Sequence, residues 1–380
     1  MSMRIAFVYD FPYPWHAGGI EKIDKIESEG LAKEHEVHYY TMLWPGMRPE
    51  FTRNRVRFHA YWPASRETMY LHRRRSIRKA MMFALTSFRI YRERFDVVVI
   101  DAFPYLQIPI IRLYGLLTGC KVVMHVAEVW DAEYWRKYAG PVFGPLGSFF
   151  SNAVMRADAY IANSYDTKRR LQDIMHISPE RIEVFAPVLD AALIESVRSK
   201  AKRRGNTIAF AGRFIKEKRL DKWLYEFAEV SRSVPRLHGL IIGDGPERVY
   251  IAKLTRALKL QDRVKLVKPI PTTRGLYARL SGCKALLNMS EREGLSIVTL
   301  ESLSLGVPVV LPDYSPIPED IKAMCVVEHE VGIPRALTQI MNSDSPGSFI
   351  RDRERLGIFQ TSGVKKFYDR LFRKLGLSGR

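Results

Sequence analysis

The run Asp96-Val97-Val98-Val99-Ile100-Asp101 is an apolar segment with an acidic residue at each end. A segment that is apolar on both faces is typical of a strand inside a parallel sheet, where helices cover both sides. Similar short runs alternate with helical patterns in the first half of the chain, at residues 4–10, 36–42, 56–61, 121–126, 159–164 and 182–187. This alternation predicts βαβ units around a parallel sheet.

A second series of the same kind follows a polar stretch that lacks a core pattern. Its strands are predicted at residues 207–211, 238–243, 264–269, 284–290 and 307–312. Two such series predict an α/β protein with two doubly wound, Rossmann-like domains that face each other across a cleft. The predicted segments are a first domain at 1–195, a linker at 196–206, a second domain at 207–345 and a basic C-terminal helix and tail at 346–380. We expect the C-terminal helix to cross back to the first domain.

The chain has 380 residues, of which 47% are hydrophobic and 27% are charged. This balance excludes a disordered tail protein, a collagen-like chain and a small disulfide-linked scaffold. The cysteines Cys120, Cys283 and Cys325 are too widely spaced for a disulfide framework or a metal knuckle, and they fit a reducing compartment. The first residues have no signal-peptide pattern, and the longest apolar stretch, 108–120, is too short to span a membrane. We therefore expect a cytoplasmic protein.

The net charge of +19 is concentrated in two regions. Residues 53–94 contain 12 Lys or Arg and 2 acidic residues, and residues 351–380 contain 9 and 3. Concentrated positive charge indicates an anionic partner. A nucleic acid, a membrane surface and a phosphorylated substrate all fit that description.

Strand-to-helix junctions are the candidate binding positions, because parallel α/β domains bind ligands beyond the carboxyl ends of their strands. Gly18-Gly19 follows the first strand, and paired glycines allow a phosphate or sugar to approach the backbone. Gly212-Arg213, followed by Lys218, opens the second half, and two fixed cations there can neutralise a diphosphate without a metal. The structural alternatives are an ordinary turn and a solvated basic loop.

Two further junctions lie in the second half. Gly243-Asp244-Gly245-Pro246 predicts a tight turn into a helix. Farther on, Glu293 lies at a turn and Glu301 lies inside a predominantly apolar helix that is predicted to begin near Ser296. A glutamate in an apolar helix costs free energy unless it has a partner, and ligand hydroxyls are suitable partners. The free amides at the helix start suit anionic or hydroxyl groups.

Four motifs follow one another in the second half: Gly212-Arg213-x4-Lys218, Gly243-Asp-Gly-Pro-Glu247, Glu293-Gly-Leu-Ser-x3-Leu-Glu301 and Gly306-Val-Pro-Val-Val310. In this order they resemble the retaining glycosyltransferases of family four, which have the GT-B fold, and the resemblance extends over roughly residues 4–345. It implies that Arg213 and Lys218 bind the donor diphosphate and that Glu301 binds the ribose hydroxyls. The full set of donor-binding residues that it implies is Gly18, Gly19, Gly212, Arg213, Lys218, Gly245, Glu293, Gly294, Leu295, Ser296 and Glu301.

The chain departs from the family pattern in three places. Leu295-Ser296 stands where Phe-Gly is usual, and Pro187-Val188 stands where Asn-Gly is frequent. Ala127 occupies the position at which relatives often have a histidine, whereas the nearest histidine here is His125. In a strand these two residues point to the same face, so His125 is a catalytic candidate, and a buried histidine packed on the sheet is the alternative. Glu128 and Asp131, at the same strand end, are acceptor-side candidates.

The resemblance implies a reaction in which a sugar moves from a nucleoside diphosphate to an acceptor hydroxyl with retention of anomeric configuration. Arg213, Lys218, Glu293 and His125 are the catalytic candidates, with the two cations stabilising the leaving diphosphate. Enzymes of this kind need neither a cofactor nor a bound metal for catalysis. No metal site is therefore expected. A nucleic-acid partner is not expected either, because the sequence has no recognised nucleic-acid-binding motif.

The acceptor is suggested by the basic region, where residues 73–94 are predicted to form one helix. Its apolar stripe consists of Ile77, Met81, Ala84, Phe88 and Tyr91, and its flanking cations are Arg74, Arg78, Arg89 and Arg92. Basic residues beside an apolar stripe are typical of an interfacial helix, although the stripe could also pack against the first sheet. We expect a peripheral enzyme at the inner face of the cell membrane that acts on a lipid-linked sugar or a glycolipid.

Three other functions remain open. A nucleic-acid-binding protein, or another polyanion binder, would use the arginine clusters but would leave Glu293 and Glu301 unexplained. A sugar-nucleotide epimerase shares the architecture but would not need the Gly-Arg-x4-Lys loop in this form. A non-catalytic sugar-nucleotide binder is compatible with Ala127.

Overall fold

The chain folds into two α/β units, each built on its own predominantly parallel sheet. The first comprises Met1–Val188 and Thr361–Arg380, and the second comprises Leu189–Gln360. The computed structural model describes residues 2–16, 19–71, 74–200 and 205–377. The predicted fold class, α/β with two Rossmann-like parallel sheets, is confirmed.

The first unit is built on an eight-stranded sheet. Its elements up to Val188 are β1 (Arg4–Val8), α1 (Gly19–Leu31), β2 (Glu36–Leu43), β3 (Glu50–Arg53), β4 (Val56–Pro63), α2 (Arg66–Met69), β5 (Tyr70–Leu71), β6 (Arg74–Arg75), α3 (Ile77–Ser87), β7 (Val97–Asp101), α4 (Ile108–Thr118), β8 (Lys121–Val126), α5 (Ala132–Val154), β9 (Ala159–Ala162), α6 (Tyr165–Asp173) and β10 (Ile182–Val184). The strand order is β10-β9-β8-β7-β1-β2-β4-β3, and only β3 pairs antiparallel to its neighbour.

The second unit is built on a six-stranded parallel sheet in the order β13-β12-β11-β14-β15-β16. Its elements are α7 (Ala191–Arg198), β11 (Gly205–Ala211), α8 (Leu220–Ser233), β12 (His238–Ile242), α9 (Arg248–Ala257), β13 (Val264–Val267), α10 (Thr273–Ser281), β14 (Cys283–Leu287), α11 (Ile297–Ser304), β15 (Val309–Pro312), α12 (Glu319–Lys322), β16 (Val326–Glu328) and α13 (Ile333–Asn342). The last helix of the chain is α14 (Val364–Lys374). Short 3₁₀ helices lie at Phe88–Arg92, Pro179–Arg181, Lys216–Lys218, Glu330–Gly332, Pro346–Phe349, Arg353–Phe359 and Thr361–Gly363.

Strand β7 has the environment that its sequence predicts. All five of its residues are buried. Val98 and Ile100 belong to the hydrophobic cluster on one face of the sheet, and Val97 and Val99 belong to the cluster on the other face. Helices therefore cover this strand on both sides, which is why its sequence shows no polar alternation.

Helix α14 packs on the sheet of the first unit, as predicted for the C-terminal helix. Phe367 and Phe372 join the same hydrophobic cluster as Phe7 of β1. The Phe367 ring stacks on Phe185, with ring centroids 4.1 Å apart. Burial of these aromatic rings fixes the end of the chain to the first unit.

The structure differs from the predicted elements in the basic region. A single helix over 73–94 is wrong, because α3 begins only at Ile77 and the backbone changes to a 3₁₀ helix at Phe88. Ser76 is the physical reason for the later start, since its hydroxyl accepts a hydrogen bond from the Lys79 amide and caps the helix. No helix among the described residues is long and apolar enough to cross a membrane.

The predicted linker at 196–206 overlaps regular elements at both ends. Helix α7 continues to Arg198 and buries Ile194 and Val197 on the second unit, and β11 begins at Gly205. Residues 201–204 lie outside the described residues. The predicted tail at 346–380 is divided between the units, with the part up to Gln360 in the second unit.

Candidate functional site

The basic loop after β11 is held by backbone hydrogen bonds to the turn after β12. The Gly212 amide donates to Ile242 O at 3.0 Å, and the Phe214 amide donates to Asp244 O at 2.8 Å. In return, the Glu247 amide donates to Phe214 O at 3.0 Å. The Gly-Asp-Gly-Pro turn thus shapes the loop that carries Arg213.

Glycine is required at two positions of this turn. Gly243 has φ +149° and Gly245 has φ +154°, a backbone conformation that residues with a side chain rarely adopt. A Cβ atom at Gly245 would lie 2.5 Å from Phe214 O, and one at Gly243 would overlap Gly212 O. The packing of the loop against the turn accounts for both glycines, so the role of Gly245 in donor binding stays a prediction.

Lys218 and Glu293 form an ion pair between Lys218 Nζ and Glu293 Oε1. Their side chains are only 17% and 12% exposed. The Glu291 amide donates to Glu217 O at 2.9 Å and thereby joins the two loops that carry the pair. The structure therefore brings together two residues that the sequence analysis assigned to donor binding.

A chain of buried polar groups connects this ion pair to the start of α11. Ser290 Oγ lies 2.6 Å from Asn288 Oδ1 and 3.3 Å from Glu293 Oε1. Asn288 Nδ2 donates to Ser296 Oγ at 3.1 Å, and Ser296 Oγ lies 2.9 Å from Thr299 Oγ1. The sequence analysis missed Asn288, Ser290 and Thr299. The signal that could have revealed the first two is a pair of polar residues at the end of an apolar strand.

Helix α11 begins at Ile297, one residue after its predicted start. Ser296 precedes it in the left-handed conformation, with φ +55°, and its side chain does not cap the helix. The first amides of a helix have no partner within the helix and can therefore bind an anion or a hydroxyl group. Leu295 is buried, and Gly294 is half-buried at the turn.

Glu301 lies in the middle of α11 and is 4% exposed. Its Oε1 accepts a hydrogen bond from the buried Tyr277 hydroxyl at 3.1 Å. Burial and the adjacent Glu301 carboxylate raise the pKa of Tyr277, so its hydroxyl stays protonated and donates. This bond holds the buried carboxylate in position inside α11.

Arg213 stands apart from these pairs. Its side chain is exposed, and among the described residues it takes part in no salt bridge. A guanidinium without a protein counter-ion can neutralise an anionic ligand without first breaking an ion pair.

In the first unit, His125 is buried in β8 rather than exposed at the strand end. Its Nδ1 lies 3.2 Å from Asp24 Oδ1, and its Nε2 lies 2.9 Å from Glu27 Oε2. Burial alone would lower the pKa of His125, but the carboxylates of Glu27, Asp24 and Asp101 raise it well above its ordinary value. These contacts agree with the alternative interpretation, in which His125 is a buried histidine packed on the sheet. The catalytic role of His125 stays a prediction.

The remaining predicted residues of the first unit belong to the segments that follow β1 and β8 in the chain. Gly18 is outside the described residues, and Gly19 is the exposed first residue of α1. Glu128 Oε2 accepts a hydrogen bond from Trp130 Nε1 at 2.9 Å. Asp131 caps α5 by accepting a hydrogen bond from the Tyr134 amide at 2.8 Å. Asp131 therefore has a structural function that does not depend on an acceptor.

The basic helix exposes a different apolar stripe from the one predicted. Ala84 is buried and Tyr91 is half-buried, whereas Leu85 is exposed. The exposed stripe of α3 and the following 3₁₀ helix consists of Ile77, Met81, Leu85 and Phe88, which are 74%, 57%, 53% and 49% exposed. Arg78 and Arg92 are exposed beside it, and the Arg89 guanidinium lies 4.8 Å from the centroid of the Tyr61 ring. Only the backbone of Arg74 is described, so the prediction for its side chain lies outside the described residues.

The second half of α5 presents another exposed apolar surface. Gly140, with φ +88°, interrupts the helix, and residues 138–155 contain no charged side chain. Phe143 and Phe149 are 67% and 75% exposed on this segment. The sequence analysis missed this surface, because an uncharged helix is expected to be buried.

Comparison with known proteins identifies two families along the chain. The family described as Glycosyltransferase Family 4 matches residues 17–193, and Glycosyl transferases group 1 matches residues 194–325. Together, the two matches cover most of the chain.

Individual relatives agree with these matches. A phosphatidylinositol N-acetylglucosaminyltransferase protein of Arabidopsis thaliana is 27% identical over 186 residues, which is 45% of this chain and 41% of that protein. The chain is thus aligned with less than half of that relative. Sucrose-phosphate synthase of Thermosynechococcus elongatus has a TM-score of 0.76 at 15% identity, with 99% of this chain and 100% of that chain covered. Anabaena HepE in complex with UDP-glucose has a TM-score of 0.66 at 13% identity, with 98% and 99% covered. Both of these structures have the same fold as this chain.

Proposed function

Because the chain belongs to the group 1 glycosyltransferases of family four, we propose that it transfers a sugar from a nucleoside diphosphate to an acceptor hydroxyl with retention of configuration. The bond between the anomeric carbon and the diphosphate oxygen breaks, and a bond between that carbon and the acceptor oxygen forms. The acceptor proton passes to the leaving diphosphate, so no separate general base is required.

The observation that carries this proposal is the Lys218–Glu293 ion pair, with Glu293 just before α11, together with the buried Glu301 inside that helix. Lys218 is held by Glu293 in a half-buried position, where a cation interacts more strongly with phosphate than in open water. Arg213 is exposed earlier in the same loop and would supply the second positive charge. The two cations would stabilise the charge that grows on the leaving diphosphate.

The carboxylates have separate roles in this proposal. Glu301, oriented by Tyr277, would accept hydrogen bonds from the two ribose hydroxyls. Glu293 and the first amides of α11 would bind the donor sugar. A nucleic-acid-binding protein would need neither carboxylate, because a carboxylate repels a phosphate backbone.

The test is a binding and hydrolysis screen of the purified protein against UDP-, GDP- and ADP-sugars without added metal. UDP-glucose comes first, because the structure of Anabaena HepE contains it. We expect one donor to bind and to be hydrolysed slowly. Glu301→Gln should weaken that binding at least tenfold, while Glu319→Gln, an exposed glutamate of the same unit, should leave it unchanged. A failure to bind any of these donors would refute the proposal.

For the acceptor we propose a lipid-linked sugar or a glycolipid at an anionic membrane surface. The exposed stripe of α3 with Arg78 and Arg92 beside it supports this proposal, because water-exposed apolar residues next to cations suit an anionic lipid interface. The uncharged, exposed half of α5 offers a second apolar surface in the same unit. The plant relative is named for transfer to phosphatidylinositol, which is a lipid acceptor.

A further inference from the structure

Two histidines meet on neighbouring strands near one edge of the first sheet. His38 lies on β2 and His59 on the neighbouring strand β4. His38 Nδ1 faces His59 Nε2 at 2.9 Å, and the two rings are nearly parallel, with an angle of 14° between their planes. His38 is fully buried, and the His59 side chain is 9% exposed.

The other ring nitrogen of each histidine contacts a carboxylate. His38 Nε2 lies 2.9 Å from Glu36 Oε1, and His59 Nδ1 lies 2.7 Å from Glu50 Oε2. An ionised carboxylate only accepts hydrogen bonds, so the ring nitrogen that faces it carries the hydrogen. Each histidine is thus held between a carboxylate and the other imidazole ring.

The facing nitrogens are the candidate metal ligands of the pair. An imidazole nitrogen that carries no hydrogen can ligate a metal ion. His38 Nδ1 and His59 Nε2 lie 2.9 Å apart, close enough for a hydrogen bond between the rings. A cation bound by both nitrogens would take the place of that hydrogen bond.

A third ligand is available beside the pair. Glu93 Oε2 lies 3.8 Å from His38 Nδ1, and the candidate ligand atoms of His38, His59 and Glu93 all lie within 4.8 Å of one another. Arg4 Nη2 holds the same carboxylate oxygen at 2.5 Å and thereby fixes its position. The Glu93 side chain is 29% exposed, which gives an ion a route from solvent.

The charges around the pair also favour a cation. Three carboxylates face the histidines, namely those of Glu36, Glu50 and Glu93. Two arginines contact this group: Arg4 pairs with Glu36 and Glu93, and Arg57 lies 3.7 Å from Glu36. The three carboxylates therefore outnumber the two arginines that contact them.

We propose that His38, His59 and Glu93 bind one divalent transition-metal ion, with Zn²⁺ as the ion of first choice. Two imidazole nitrogens and a carboxylate form a ligand set that zinc accepts, and water can take the fourth position. Metal-bound histidines usually donate their second N–H to a carboxylate, as both do here. Tetrahedral zinc with Zn–N bonds of about 2.0–2.1 Å separates two nitrogens by about 3.3 Å, so the rings need to move apart by only a few tenths of an ångström.

The site is structural and does not take part in sugar transfer. Its ligands come from β2, from β4 and from the segment after the 3₁₀ helix that follows α3. A bound ion would therefore join the edge of the sheet to the end of the exposed basic helix. It should raise the thermal stability of the first unit, because the ion binds only the folded site.

The test is zinc titration of the chelator-treated full-length protein, followed by calorimetry and by the thermal unfolding midpoint. Co²⁺ serves as a second probe, because a tetrahedral Co²⁺ complex absorbs visible light. We expect one equivalent of Zn²⁺ to bind and to raise the unfolding midpoint. His38→Gln and His59→Gln should each abolish this binding, and His329→Gln, an exposed histidine of the second unit, should retain it.

Glu50→Gln keeps the test informative if a buried histidine variant fails to fold. Glu50 is half-exposed and contacts His59 without being a ligand, so the variant should fold and bind zinc roughly 10- to 100-fold more weakly. The absence of saturable binding to the wild type would mean that the two imidazoles share a proton, and would overturn the proposal. Binding that persists unchanged in His38→Gln and His59→Gln would overturn it as well.

Discussion

Lys218 and Glu293 are 75 positions apart in the sequence and form one ion pair in the fold. We predict that Lys218→Ala weakens binding of the nucleoside diphosphate roughly 10- to 100-fold, since a hydrogen bond to a charged group contributes about 1.5–3 kcal/mol. Calorimetric titration with the donor identified by the screen measures this change. Lys216→Ala is the matched control, because Lys216 is an exposed lysine of the same loop. Equal affinities of Lys218→Ala and wild type would exclude the diphosphate role of Lys218.

The buried histidine of β8 makes the stability of the first unit depend on pH. The folded-state pKa of His125 is raised above its unfolded value of about 6.5 by the carboxylates around it, although burial opposes the shift. Its stabilisation is therefore fully present below about pH 6.5 and is lost as the pH rises through the folded-state pKa. Asp101, whose pKa is raised by burial and by Asp24, changes stability in the same direction.

We expect the thermal unfolding midpoint to fall between pH 6.5 and pH 9 and to fall less steeply in His125→Gln. The difference between the two proteins reports His125 together with the carboxylates that interact with it, because His125 also influences the pKa of Asp101. His329→Gln should follow the wild-type curve, since His329 is exposed. If wild type and His125→Gln have the same slope, His125 is not charged in the folded protein.

Some site residues could be recognised from the sequence, and others could not. Glu301 interrupts an apolar helical pattern, and Lys218 belongs to a short loop between a strand and a helix. Both patterns can be recognised from adjacent residues of the sequence, without knowing which residues are in contact in the fold. Tyr277 fixes Glu301 from a different helix, and His38 meets His59 only because β2 pairs with β4. Contacts of this kind arise from the tertiary fold and leave no periodic trace in the chain.

At the scale of elements, the turn after β12 packs against the loop after β11 and supports it. We predict that Gly243→Ala destabilises the second unit by roughly 2–4 kcal/mol, because it combines a strained positive φ with overlap between Cβ and Gly212 O. The thermal unfolding midpoint measures this loss. Gly282→Ala is the matched control in the same unit, since its φ is −79° and its nearest neighbouring atom is 3.5 Å away. A change of similar size in both variants would contradict this account of the turn.

The helices and strands were predicted correctly where burial gives the sequence an apolar pattern, and incorrectly where it does not. The strands with apolar runs are all present, because both faces of the sheets are covered. Strand β3 was missed, because its residues are largely exposed and carry no apolar run. Strands β5, β6 and β16 were also missed, because each has only two or three residues. The predicted helix at 73–94 was too long, since a hydrophobic stripe does not reveal the cap at Ser76 or the change to 3₁₀ geometry at Phe88.

At the scale of the whole molecule, charge and exposed apolar area occur together in the first unit. Residues 53–94 carry more than half of the net charge of +19. In the same stretch, Ile77, Met81, Leu85 and Phe88 each expose roughly half or more of their surface to water. Neither charge nor apolarity alone indicates a membrane, but an anionic lipid surface is a partner that uses both.

We predict that the protein binds vesicles rich in anionic lipid at low salt and dissociates as the salt concentration rises. Arg78→Ala with Arg92→Ala should weaken this binding roughly 30-fold, since each cation near the surface contributes about 1 kcal/mol. Lys253→Ala with Arg256→Ala removes two exposed cations from α9 of the second unit and should leave binding nearly unchanged. Vesicle sedimentation measures the binding of wild type and of both double variants. Equal losses in the two double variants would indicate attraction by net charge alone, because only a specific contact depends on which two cations are removed.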